Sequence, residues 1–160
     1  MNRFLCVMLA GLTSMSAAAR GGSADKQTEY NKEIAIKVFS EIYGAGKIDL
    51  INELFADDFV DDSPGGGKGR EFVKSAVTDF RTAFPDLHFD LEDVFAAEDK
   101  VVVRYLATGT QTGPFGQFLP SGRPIRVQAI TIFQVANGKI KTEWTEYDQV
   151  GLMRQIGMIP

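Results

Sequence analysis

Pro85 divides this chain into two kinds of sequence. Ahead of it, apolar residues return every three or four positions. Behind it, they alternate with polar residues or gather in β-branched runs. Ile34, Val38, Phe39 and Ile42 form one helical stripe, with Lys32, Glu33, Lys37 and Glu41 between them, and Gly44 and Gly46 stop it. Asp49 suits the N-cap of a short helix over Leu50–Phe55. A third helix is predicted from about Arg70 to Phe84, with Phe72, Val73, Ala76, Phe80 and Phe84 on its apolar face. Residues 56–62 run extended into the loop Pro64-Gly65-Gly66-Gly67. Lys68 and Gly69 complete a glycine-rich stretch that lacks phosphate-loop spacing and the Ser/Thr after the Lys, so it reads as a turn.

Past Pro85, His88–Phe95 alternates, with Phe89, Leu91 and Val94 set against Asp90, Glu92 and Asp93. Asp99-Lys100 marks a turn. Val101–Thr112 and Arg123–Val135 are long strands, joined through the Gly- and Pro-rich loop 113–122. Asn137-Gly138 is the strongest two-residue hairpin signal, pairing Ile140–Tyr147 back. A short helix with Leu152, Met153 and Ile156 ends the chain. Helices followed by antiparallel strands are an α+β plan. Three helices on one curved sheet leave a cone with an open end, able to hold a small cavity. The outer sheet face then needs a partner.

Composition narrows the chemistry. The chain has 160 residues, one cysteine and one histidine, and its net charge is −4. No intrachain disulfide and no multi-histidine zinc site is possible. The acidic balance and the lack of a basic cluster argue against a nucleic-acid partner. Arg3, the apolar run Phe4–Met15 and Ala17-Ala18-Ala19 read as a secretory signal over residues 1–19, too short to span a membrane. Cleavage would remove Cys6, the only cysteine. Residues 20–27 are then expected as a flexible lead and 28–160 as the domain. The expected product is exported, periplasmic or secreted, and free of the membrane.

Several blocks resemble the SnoaL-like polyketide cyclase (ester cyclase) family. They are Phe84-Pro85-Asp86-Leu87-His88, Asp99-Lys100-Val101-Val102-Val103-Arg104, Gly109-Thr110-Gln111-Thr112-Gly113, Ile132-Phe133-Gln134-Val135, Asn137-Gly138-Lys139-Ile140, Glu143-Trp144, and Asp148 with Gly151-Leu152 and Gln155-Ile156-Gly157. The resemblance spans about residues 30–160. It implies the cone-shaped nuclear transport factor 2-like fold and a homodimer through the sheet. It also implies acid–base chemistry on a small hydrophobic carbonyl compound, without metal or organic cofactor. The family's catalytic carboxylate follows the Trp position, where this chain has Thr145. Family histidines correspond to Gln111, Thr131 and Glu143.

Strand alternation puts Glu143, Thr145 and Tyr147 on one face. Glu143 is therefore the candidate base, with Thr145 and Tyr147 as donors. The competing reading makes Glu143 a rim residue in an ion pair. Tyr43, Phe39 and Phe133 are candidates for the ligand wall, Gln111 and Thr131 for ligand contact. Arg104 and Arg126 would orient a ligand carboxylate or pair with acids on the next strand. Glu146 is expected on the opposite face and Asp148 as a helix N-cap. His88 reads as structural or exposed. Asp61 and Asp62 read as a solvated edge or as a proton-sharing pair. Phe115, Phe118 and Leu119 suggest a lid or a loop packed on a partner. Three functions stay open: an exported cyclase-like enzyme, a binding protein for a small apolar or aromatic ligand, and a dimeric assembly module.

Overall fold

The computed structural model describes residues 17–160. Helix α1 spans Ala17–Lys37 and continues as a wider, π-helical segment, Val38–Gly44. Residues 20–27, expected as a flexible lead, are therefore helical. Alanines at 17–19 and 24 are strong helix formers, and they carry the helix across Gly21 and Gly22. The expected signal, apart from its last three residues, lies outside the described residues. Helices α2 (Leu50–Leu54), α3 (Gly69–Ala83) and α4 (Gln149–Gln155) complete the helical set. Asp49 does not cap α2 with its side chain, because its backbone is already helical at φ −61°, ψ −31°.

Five strands form one sheet in the order β1-β5-β4-β3-β2. They are β1 (Phe55–Asp61), β2 (His88–Ala97), β3 (Lys100–Thr110), β4 (Pro124–Ala136) and β5 (Lys139–Tyr147). Strand β1 runs parallel to β5, and the remaining pairs are antiparallel. The β4–β5 turn is made by Asn137 and Gly138, both left-handed at φ 53° and 72°. That geometry follows the right-handed strand twist, and Asn-Gly tolerates it. A bulge between Leu91 and Asp93 explains how Leu91 and Val94 share a face.

The helices cover one face of the sheet. Ile34 of α1 and Val38, Phe39 and Ile42 of the π-helical segment pack with Val73 and Val77 of α3 against Val101, Val103, Phe133 and Val135. A second cluster, with Phe84, Leu87, Ile125, Val127, Leu152 and Ile156, seats α4 on the far end. There Asp148 accepts the Gly151 N–H at 2.8 Å, which is the expected N-cap. Arg81 of α3 donates to the carbonyls of Tyr43 and Gly44 at 2.7 and 2.6 Å. It thereby satisfies carbonyls that the end of the π-helical segment leaves free. No helix among the described residues is long and apolar enough to cross a membrane.

Candidate active site

A cavity of about 310 Å³ lies between the sheet and the helices. That is the lower end of the size range of small-molecule sites. Its wall is mostly aromatic. Phe39 and Tyr43 enter from the π-helical segment, Phe72 and Phe80 from α3, and Phe59, Phe89, Tyr105 and Phe133 from the strands. The π-helical widening falls where Phe39 and Tyr43 sit, four residues apart. Single-turn widenings of this kind recur at functional sites. Phe39 packs against Phe89, Tyr105 and Phe133 with ring centroids 5.4, 4.6 and 6.0 Å away, so this part of the wall is a rigid cluster.

Polar groups gather on one side, along β5. Glu143, Thr145 and Tyr147 all line the cavity, as alternation along β5 requires. Asp61 is the register partner of Glu143 on the adjacent parallel strand, and it lines the cavity too. Glu143 presents part of its surface to the cavity, while the surrounding protein keeps bulk water from it. That burial, reinforced by the Asp61 carboxylate, raises its pKa from 4.5 to about 7; the Thr145 hydrogen bond opposes the rise. Thr145 Oγ1 donates to Glu143 Oε1 at 2.9 Å, and the Thr145 N–H donates to Ser63 Oγ at 2.8 Å. Ser63 thus ties the mouth loop to the site strand.

Burial, with Glu143 as the next cause, holds the Tyr43 hydroxyl well above its ordinary pKa. Tyr105 is likewise pushed up, to about 12, chiefly by burial. Both therefore stay protonated and can donate. Tyr147, 38% exposed, stands at the mouth beside Pro64, Gly65 and Gly66. Gly66 cannot carry a side chain, since a Cβ there would sit 2.2 Å from the Asp61 carbonyl oxygen.

Other candidates fall elsewhere. Arg104 is not at the cavity. Val101, Val103 and Tyr105 point inward, so Arg104 points outward and pairs with Glu92 and Asp93 of β2. Gln111 is buried but holds a loop instead of facing the cavity. It donates to the carbonyls of Gly113 and Leu119 and accepts from the Ser121 N–H. Thr131 is 1% exposed and sits behind the wall, 2.7 Å from Thr145 Oγ1. Phe133, Phe39 and Tyr43 are in the wall as expected. Arg126 is exposed on the outer face, and its backbone is bound by Gln155. His88 is exposed with Asp90 3.1 Å away. Asp62 accepts the Trp144 indole N–H at 2.9 Å. Phe115 packs on Phe80 and Phe84, while Leu119 stands 84% exposed. Among the described residues, no cluster of His, Cys, Asp and Glu could hold a metal ion.

Sequence reasoning missed Tyr105 and the pairing of Asp61 with Glu143. Inward alternation from Val101 through Val103 would have found Tyr105. Nothing local signals the Asp61 pairing, because it depends on which strand lies beside β1.

Residues 33–156 match the family model for SnoaL-like polyketide cyclase. A protein of Jannaschia sp. CCS1 assigned as a SnoaL-like polyketide cyclase is similar at TM-score 0.77 and 28% identity, over 83% of this chain and 95% of its own. A protein of Acidithiobacillus ferrooxidans assigned as a polyketide cyclase is similar at TM-score 0.72 and 26% identity, over 82% of this chain and 96% of its own. A Catenulispora acidiphila protein of ketosteroid isomerase-like fold shares the fold at TM-score 0.66 and 18% identity, over 80% and 94%. No curated protein matches the chain in sequence.

Proposed function

The chain belongs to the SnoaL-like polyketide cyclase family, and from that premise we propose that it acts on a small hydrophobic carbonyl compound with Glu143 as general base and no cofactor. The observation that carries this reading is the Glu143 carboxylate, raised to about 7, facing an aromatic cavity of about 310 Å³. A base works best when its pKa lies near the working pH. Glu143 takes a proton from the carbon next to a carbonyl. The electron pair moves onto the carbonyl oxygen, and a tyrosine hydroxyl steadies the oxyanion. Tyr43 suits that role. It is half-buried in the cavity wall and its hydroxyl stays protonated. In a cyclase the enolate carbon then attacks a second carbonyl of the same molecule.

The test is turnover of a panel of aromatic and aliphatic diketones by the wild type and by Glu143→Gln. Expected is a loss of roughly 10²–10⁴-fold in the variant. Wild-type kcat/KM should rise with pH through about 7, because the base must be ionised. Full activity in Glu143→Gln removes Glu143 from the mechanism. Saturable binding with no altered ligand in either protein supports the binding-only alternative, which the apolar wall also suits.

Two further expectations belong to the same proposal. The N-terminal 19 residues act as an export signal, which a mass measurement of the mature protein in the periplasmic or secreted fraction would check. A second copy covers the outer face of the sheet, where Phe95, Val102, Ile132 and Trp144 are register neighbours across four strands.

A further inference from the structure

The polar groups beside Glu143 form a line. Thr145 Oγ1 donates to Glu143 at 2.9 Å, Thr131 Oγ1 lies 2.7 Å from Thr145 Oγ1, and the Tyr105 hydroxyl lies 3.4 Å from Thr131 Oγ1. Thr145 and Thr131 are register partners on β5 and β4, and Tyr105 follows on β3. Both ends of the line, Glu143 and Tyr105, line the cavity, while Thr131 is sealed behind it. Two points of one cavity are thus joined through hydroxyls, of which that of Thr131 is sealed from it.

Packing alone does not ask for this. Valine has the shape of threonine and phenylalanine nearly that of tyrosine. Buried hydroxyls cost free energy unless hydrogen-bonded. Each hydroxyl, with one proton and two lone pairs, can accept from one neighbour while donating to the other. The order can therefore run toward Glu143 when it is ionised and away from it when it is protonated. The Tyr105 step is the longest of the three, and such bonds often tighten once substrate is bound.

We propose that Glu143, Thr145, Thr131 and Tyr105 act as one proton relay, in which Tyr105 gives the ligand's oxygen a proton in exchange for the one Glu143 takes from its carbon. This rests on Glu143 being the base. The C–H bond breaks, its proton goes to the Glu143 carboxylate, and the electron pair ends on a ligand oxygen. Tyr105 then protonates that oxygen and is reprotonated by Thr131, Thr131 by Thr145, and Thr145 by the Glu143 carboxyl. All three hydroxyls are restored and the carboxylate is regenerated. One residue thus serves carbon and oxygen at two places without moving the ligand. Tyr105 is a catalytic residue in this scheme; Thr131 and Thr145 act through it.

The groups that face Glu143 are Asp61 from β1, Tyr43 from the π-helical segment and Tyr105 from β3. Tyr147 and Glu146 of β5 stand toward the mouth. Helix α3 presents Phe72, Val73, Ala76 and Phe80 to the cavity, β2 presents Phe89, and α4 presents Gln149 and Leu152. A pH response at Tyr105 in the neutral range must then come from the carboxylates, through the relay or through space.

The experiment separates these by NMR on the full chain carrying ¹³C at glutamate Cδ and tyrosine Cζ. In the wild type, Tyr105 Cζ should shift with the same midpoint as the Glu143 carboxyl, since reversing the relay turns Tyr105 from donor to acceptor. In Thr131→Val the carboxyl should still titrate while the Tyr105 step falls by at least half. Thr131→Ser should restore it. Thr145→Val breaks the relay from the other side, carries the same expectation, and serves if Thr131→Val does not fold. An undiminished Tyr105 step in the valine variants means a field through space and overturns the relay, as does a wild-type Tyr105 that ignores Glu143. These readouts need no substrate. Active Glu143→Gln would end the base reading while leaving the coupling intact, and a failed relay would leave Glu143 as base.

Discussion

Strand β5 carries two glutamates three positions apart, and they live under opposite conditions. Glu143 faces the helices and a cavity, with an Asp beside it and, among the described residues, no lysine or arginine along the cavity wall. Glu146 lies exposed at the cavity rim, across from Ile130 and one strand beyond Arg104. Elsewhere on the surface, two carboxylates have lysine partners. Asp58 is held below its ordinary pKa first by the hydrogen bond from Lys141, and Glu41 first by that from Lys47. The inner face leaves Glu143 without a cation, and its pKa goes the other way. The same residue type is a solvent-exposed carboxylate at the rim and a carboxyl with a raised pKa inside the cavity. Side-chain period and sheet coverage decide which.

The difference has a thermodynamic signature. Between pH 4.5 and about 7 the unfolded chain has ionised this carboxyl while the folded chain still holds its proton. Stability from this group is therefore fully present below pH 4.5 and is lost as pH rises through about 7. The rise from 4.5 to about 7 corresponds to a loss of up to about 3 kcal/mol. Glu143→Gln has no proton to lose. The variant should match the wild type below pH 4.5 and exceed it by up to about 3 kcal/mol above pH 8, in urea unfolding followed by Trp144 fluorescence. Glu146→Gln should move stability by less than about 0.5 kcal/mol at either pH. An equal offset for Glu143→Gln at both pH values would mean that water in the cavity solvates the carboxylate.

Much of this contrast was written in local sequence. Helical spacing ahead of Pro85, the Asn137-Gly138 hairpin and alternation along β5 placed Glu143, Thr145 and Tyr147 together on one face. Alternation also held the answer for Arg104: flanked by inward Val103 and Tyr105, it had to point outward, and its partners Glu92 and Asp93 lay on the next strand. The rest depended on pairing between distant segments. Asp61 meets Glu143 only because β1 closes the sheet beside β5, 82 residues away along the chain for the neighbouring Asp62–Trp144 bond. The Tyr105–Thr131–Thr145 line crosses three strands whose register no single segment encodes. Resemblance located the positions where the family keeps polar site residues. Only the fold showed that Thr131 and Thr145 touch each other, and that Gln111 serves its own loop.

The outer face gives the smallest effect on folding and the clearest one on assembly. Ile130 is 44% exposed and Phe95 63%, next to Val102 and Ile132. Lys100 lies 4.6 Å over the Trp144 ring and shields one end of this row. Water covers the remainder unless a second copy does, and contiguous exposed apolar patches of this kind mark interaction surfaces. Ile130→Lys should change unfolding free energy by under about 1 kcal/mol in dilute protein, since the side chain already reaches solvent and the new ammonium can pair with Glu146. In sedimentation, the wild type is expected as a dimer and Ile130→Lys as a monomer. A wild type that sediments as a monomer at every concentration would leave the outer face without a partner copy and confine the molecule's chemistry to the cavity on the other side of the same strands.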